Sequence, residues 1–188
     1  FFTLKDCTKG PVFIFGCGGV GLSTILACKK KKLKPIIAID VDMKKLKLAK
    51  KFGADQLLNF SGPNFLSKID KVSSSNFPVI IECTGKINIL KICIRKTNSL
   101  GGKLVVIGNY PKGEKLNLDP WEIIMGKTLT GAWNERETYD NKFKFFKSKI
   151  DTKKLNLFFG KKIYNLSEIN KAIKDFKTGK VVRPLIKI

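Results

Sequence analysis

Glycines at positions 16, 18 and 21 follow the apolar run Val12-Phe-Ile-Phe15 and open a helix-like segment. In this G-x-G-x-x-G spacing the first glycine allows a sharp turn. The second lets the backbone approach a pyrophosphate, and the third lets the next helix pack closely on a sheet. The N-terminus of that helix offers N–H groups and a positive dipole end to the phosphates. A second apolar run, Ile36-Ile-Ala-Ile39, ends on Asp40, nineteen residues after Gly21. A carboxylate there accepts hydrogen bonds from the hydroxyls of an adenosine ribose. A glycine turn that only packs a helix would leave Asp40 unexplained, so the residues predict a dinucleotide site.

The elements needed to position that site are legible on either side of it. Residues 12–15 read as a buried strand. A helix runs from Gly21 to about Lys32, with Val20, Leu22, Ile25 and Leu26 on its apolar side. Asp42 can cap a helix whose apolar positions are Leu46, Leu48, Ala49 and Phe52, and Gly53 ends it. A short third strand follows Ala54. Pro78–Cys83 is a fourth strand, Ile87–Lys96 a helix, Lys103–Ile107 a fifth strand and Lys127–Trp133 a sixth. Asp119 and Pro120 open a short helix between the last two. Strands alternating with helices predict a doubly wound, mostly parallel six-stranded α/β sheet covered on both faces. Gly16, Asp40, Thr84-Gly85 and Gly108-Asn109 all fall at strand C-terminal ends, where such folds bind ligands.

Beyond Asn134 the pattern changes. We expect a helix over Tyr139–Lys149, a strand over Phe158–Leu166, a capped helix over Ser167–Thr178 and a terminal strand over Val181–Ile188. The expected division is therefore residues 1–133 for the dinucleotide-binding unit and 134–188 for a C-terminal segment.

Composition limits the alternatives. The 188 residues carry a formal charge of +22, yet only Arg95, Arg136 and Arg183 are arginines. Arginine is the preferred fork for bases and phosphates. Lysines spread over nearly every helix instead, which argues against specific nucleic-acid binding. No run of 18 apolar residues suggests a membrane span. Five cysteines without C-x-x-C spacing read as free thiols in a reducing cytoplasm. Histidine is absent, so no triad, proton relay or metal site here uses one. The opening Phe1-Phe2-Thr3 has neither Met nor a signal-peptide pattern, and we expect a longer protein.

Taken with the stretches Ile39–Asp55, Glu82-Cys-Thr-Gly85, Gly102–Gly108, Lys127–Trp133 and Tyr164–Ile188, the glycine turn resembles the C-terminal half of medium-chain, zinc-type alcohol dehydrogenases. The resemblance covers nearly the whole chain. It implies a Rossmann domain whose tail completes a barrel-like catalytic domain, and hydride transfer between NAD and an alcohol or aldehyde substrate. Gly16, Gly18, Gly19, Val20 and Gly21 would line the pyrophosphate, with Asp40 and Lys45 on the adenosine ribose. Cys83 and Thr84 would flank the adenine side and the nicotinamide ribose. Ile107, Gly108, Asn109, Ala132, Trp133 and Asn134 would lie near the nicotinamide, and Arg183 would reach back to the pyrophosphate. An acid at position 40 repels a 2′-phosphate and favours NAD over NADP.

The resemblance also puts the zinc ligands and the proton relay in an N-terminal domain outside these residues. No catalytic residue and no metal ligand is therefore assigned here, and the chain alone is expected to be inactive. The sixth strand, at the sheet edge, is expected to pair with its mate in a homodimer. Two other readings share the glycine turn: a zinc-free reductase of the same superfamily, which usually takes NADPH, and a non-catalytic nucleotide-sensing module. Lys45 also reads as one of many lysines on a solvated helix, and Arg183 as a surface residue beside a strand.

Overall fold

The structure, a computed structural model, describes residues 10–62, 67, 78–132, 140, 144, 152–160 and 162–188. Contacts divide the chain into two compact units, Phe1–Asn134 and Glu135–Ile188.

The first unit is a six-stranded sheet, every neighbouring pair of which is parallel. In chain order its elements are β1 (Val12–Phe15), α1 (Gly19–Lys30), β2 (Ile36–Asp40), α2 (Met43–Phe52), β3 (Gln56–Asn59), β4 (Val79–Glu82), α3 (Ile87–Lys96), β5 (Lys103–Val106), α4 (Trp121–Ile124) and β6 (Thr128–Gly131). The spatial order is β3-β2-β1-β4-β5-β6. This is the Rossmann order, with its reversal between β1 and β4. The mostly parallel sheet expected from sequence is parallel throughout.

Side chains alternate across the strands. Phe13, Phe15, Ile37, Ile39, Ile80 and Leu104 form one buried face and pack with Leu90, Cys93 and Ile94 of α3. The intervening residues Val12, Ile14, Ile36, Ala38, Ile81 and Val105 are equally buried on the other face. There α1 contacts β1 and β2, and α2 contacts β2 and β3. Continuous apolar strands such as Val12-Phe-Ile-Phe15 are what a sheet covered on both faces requires.

Local signals set most boundaries. The Asp42 carboxylate accepts from the Lys44 N–H at 2.7 Å and caps α2. Asp119 accepts from the Trp121 N–H at 3.0 Å ahead of α4. The first helix differs from expectation: it begins at Gly19, two residues early, because the Leu22 N–H already bonds the Gly18 carbonyl at 2.9 Å. Val20 then falls on its first turn and is 36% exposed rather than packed.

The second unit departs further from the sequence reading. Phe158 and Phe159 do not start a strand; they end helix α5 (Thr152–Phe159), where their rings meet edge to face at 5.3 Å. Gly160, at φ +74°, closes that helix by donating to the Asn156 carbonyl at 3.0 Å. The strand expected over Phe158–Leu166 shrinks to β7 (Ile163–Asn165), and Leu166–Glu168 form a 3-10 turn. Asn165 and Glu168 make a reciprocal capping box there, which leads into α6 (Ile169–Lys177). The terminal strand is only β8 (Leu185–Lys187), preceded by Pro184, which lacks an N–H for a ladder. β7 and β8 pair in parallel as a separate two-stranded sheet. Most of the helix expected over Tyr139–Lys149 lies outside the described residues. No helix among them is long and apolar enough to cross a membrane.

Candidate functional site

Because all six strands run the same way, their C-terminal ends share one edge of the sheet. Gly16 follows β1, Asp40 closes β2, Cys83, Thr84 and Gly85 follow β4, and Ile107, Gly108 and Asn109 follow β5. Ala132 follows β6, its N–H bonded to the Val106 carbonyl at 3.0 Å. At the reversal between β1 and β4 lies a cavity of ≈ 240 Å³. Gly16, Gly18, Asp40, Lys45, Cys83 and Thr84 line it, and so do Phe15, Ile39, Val41, Phe60, Lys86 and Ile89, which sequence reasoning did not single out.

The glycine turn is built for contact. Gly16 has φ +91°, and a Cβ there would stand 2.8 Å from the Thr84 methyl and 3.2 Å from the Thr84 nitrogen. A Cβ on Gly21 would lie 1.8 Å from the Gly16 carbonyl oxygen, so α1 sits directly on the turn. Gly18, by contrast, faces open space. It is the residue before α1 and has no side chain to cap the helix, so the first N–H groups are left to a ligand or water.

Asp40 is nearly buried, at 9% exposure. One carboxylate oxygen accepts from the Cys17 N–H at 2.7 Å and the other from the Asp42 N–H at 2.9 Å. It therefore ties the end of β2 to the glycine turn, a role its spacing alone did not reveal. Each oxygen keeps a further lone pair for another donor.

Two thiols border the turn. Burial raises the Cys17 thiol well above its ordinary pKa, and the Asp40 carboxylate adds to this. Burial pushes Cys83 up to about 12, against a lowering contact from Thr24, whose hydroxyl lies 3.7 Å from the sulfur. Both thiols therefore stay protonated at neutral pH.

The most heavily bonded side chain near the site is one that sequence reasoning quoted only as part of a motif. Glu82, fully buried at the end of β4, accepts from the Thr84 N–H at 2.6 Å and from the Thr84 hydroxyl. Its other oxygen accepts from the Tyr110 hydroxyl at 2.5 Å and the Gly85 N–H at 3.4 Å. An acid closing an otherwise apolar strand was the signal available for it.

The other expected site residues that the structure describes do not line this cavity. Gly19, Val20 and Gly21 lie in the first turn of α1, and Ile107, Gly108, Asn109 and Ala132 lie beyond β5 and β6. Arg183 belongs to the second unit, where it is exposed and its N–H bonds the Phe158 carbonyl at 3.2 Å. Trp133 and Asn134 lie outside the described residues. Among the described residues, no group of three or more Cys, Asp or Glu is placed to hold a metal ion.

Comparison with known proteins agrees with this geometry. The chain is 25% identical to an S-(hydroxymethyl)glutathione dehydrogenase of Komagataella pastoris, over 98% of this chain and 50% of that protein. A second S-(hydroxymethyl)glutathione dehydrogenase, from Escherichia coli O1:K1, is 28% identical over 69% of this chain and 36% of its own length. The chain thus spans half or less of the curated relatives it matches. Among solved structures, benzyl alcohol dehydrogenase from Acinetobacter calcoaceticus superposes with a TM-score of 0.79 at 27% identity, covering 95% of this chain and 49% of that one. The family description "Zinc-binding dehydrogenase" fits residues 19–148. Because that match takes in well over half of the 188 residues, the chain belongs to the zinc-binding dehydrogenase family.

Proposed function

We propose that this chain is the NAD(H)-binding half of a zinc-dependent alcohol or aldehyde oxidoreductase. The observation that carries the reading is Asp40, held at the end of β2 by the Cys17 and Asp42 N–H groups and facing the same cavity as Gly16 and Gly18. The residues fit a dinucleotide: a glycine turn against which only hydrogen fits, an open approach at Gly18, and an acid beside them. The ≈ 240 Å³ cavity is smaller than the roughly 300–1,000 Å³ of a drug-sized site, which suits one nucleoside of a longer ligand.

In this reading Gly16, Gly18, Gly19, Val20 and Gly21 hold the pyrophosphate, while Asp40 and Lys45 hold the adenosine ribose. Cys83 and Thr84 flank the adenine side and the nicotinamide ribose. Ile107, Gly108, Asn109, Ala132, Trp133 and Asn134 border the nicotinamide, and Arg183 supports the phosphates. NAD, when bound, supplies the hydride acceptor. The chain's part is to orient that ring and exclude water from it. Zinc does not fit these residues: the sequence has no histidine, and the described acids and thiols form no ligand cluster. The metal and the bulk of the alcohol pocket are assigned to the other half, which the C-terminal unit completes. Cys17, Cys83 and Cys93 are free thiols, which suits a cytoplasmic enzyme.

Calorimetric titration of the chain with NADH and NADPH tests the reading. NADH is expected to bind and NADPH to bind more weakly, because the Asp40 charge opposes a 2′-phosphate. A folded sample that binds neither, or that prefers NADPH, overturns it.

We also propose that two copies pair through β6. This strand is one edge of the sheet, and the helix α4 that leads into it exposes Trp121 and Ile124, at 66% and 72%. An edge strand and exposed apolar side chains both favour association. Light scattering is expected to give the mass of two chains, reduced toward one by Thr130→Glu; a single-chain mass at every concentration rejects the pairing.

A further inference from the structure

Glu82 meets four donors on two different loops. Its side chain takes the Thr84 N–H, the Thr84 hydroxyl and the Gly85 N–H from the loop after β4, and the Tyr110 hydroxyl from the loop after β5. Its main-chain carbonyl adds the Ile107 and Gly108 N–H groups, each at 2.9 Å. The two loops close tightly on this carboxylate. A Cβ on Gly108 would lie 2.3 Å from Glu82 Oε2, and one on Gly85 would lie 2.4 Å from the Asn109 carbonyl oxygen. Burial and the bond to Glu82 both raise the Tyr110 hydroxyl's pKa, so it remains a donor. The arrangement also fixes Thr84. Its hydroxyl points to Glu82 and accepts from the Lys86 N–H at 3.1 Å, while its methyl lies against Gly16.

We propose that Glu82 is a positioning residue: it latches the β4 and β5 loops to each other and thereby sets where the nicotinamide half of the cofactor lies. The role rests on the cofactor reading above and deepens it. Burying a carboxylate is costly unless donors surround it, and here four donors meet it. A carboxylate can accept from all four. A glutamine amide must turn its NH₂ toward one pair, where the hydroxyl can rotate to accept but the backbone N–H faces it donor to donor.

The test compares NADH with ADP, which contains the adenosine and pyrophosphate but no nicotinamide. Glu82→Gln is expected to weaken NADH binding about tenfold, the order for losing one hydrogen bond to a charged group, and to change ADP binding by less than about twofold. Tyr110→Phe removes a single hydroxyl from a half-buried ring and is expected to show the same split, smaller in size; it keeps the question answerable if Glu82→Gln fails to fold. Equal weakening of both ligands makes Glu82 a mere scaffold residue and overturns the proposal, as does unchanged NADH binding in both variants. If the unaltered, folded chain binds neither ligand, the cofactor reading itself falls and the positioning role falls with it.

Discussion

Gly21→Ala is expected to cost about 3 kcal/mol of folding stability and to lower the melting temperature by roughly 6–12 °C. The added methyl would stand 1.8 Å from the Gly16 carbonyl oxygen and 2.9 Å from its carbon. Both are main-chain atoms of the turn, so no side-chain rotation relieves the overlap. Either α1 slides away from the sheet, loosening buried Leu22 and Ile25, or the turn deforms where Gly16 already packs against Thr84. A loss of this size is a large part of the ~5–15 kcal/mol that holds a typical domain. Gly18→Ala supplies the contrast. Nothing lies within 4 Å of its Cβ position, and its φ of −74° suits any residue. It is expected to cost about 1 kcal/mol or less, mainly as a poorer helix cap. In the proposed site its methyl would fill the approach to the pyrophosphate, so NADH affinity is expected to fall while the melt barely moves. Thermal melts followed by circular dichroism, paired with NADH titration, read both effects. A Gly21→Ala melt within about 2 °C of the parent would show that the helix does not rest on the turn.

Two glycines of one motif thus sit in different surroundings, Gly21 against the turn and Gly18 in open space, and the close packing at Gly21 was legible in the spacing. The sheet was equally legible. Val12–Phe15, Ile36–Asp40 and Val79–Glu82 are apolar, short and bounded by Gly, Pro or Asp, which suits a strand buried on both faces. The tail was less legible because Phe158-Phe159 is an apolar pair that fits a strand or a helix end equally well. Gly160 at φ +74° decides the matter, and a dihedral cannot be read from composition. The terminal strand was expected over Val181–Ile188, but only Leu185–Lys187 find a partner in β7. Glu82 escaped notice for another reason. An acid at a strand end looks solvated in one dimension. Its donors come from Thr84 and Gly85 just beyond it and from Tyr110, 28 positions away, and only the fold brings them together.

Asp40→Ala is expected to weaken NADH binding about 100-fold, the order for losing two hydrogen bonds from ribose hydroxyls to a charged acceptor. The same change removes the charge that opposes a 2′-phosphate. At about 4 Å that repulsion is worth roughly 1 kcal/mol in water and 4 kcal/mol near a protein surface, so the NADPH-to-NADH preference moves by about fivefold or more toward NADPH. The substitution also strips the acceptor from the Cys17 and Asp42 N–H groups, which costs about 1–3 kcal/mol of stability for the buried Cys17 N–H and less for the part-buried Asp42 N–H. Lost binding could therefore reflect a disordered glycine turn as well as a missing carboxylate, and Asp40→Asn separates the two. Asparagine keeps one acceptor oxygen for a single backbone N–H and has no charge. If the carboxylate acts on the ligand, Asp40→Asn retains more stability than Asp40→Ala yet shows the same swing toward NADPH. If Asp40 only braces the turn, both cofactors weaken together in each variant and the ratio stays fixed. A ratio that does not move, in variants that melt well above the titration temperature, would remove the argument for NAD specificity while leaving the sheet, the glycine turn and the family untouched.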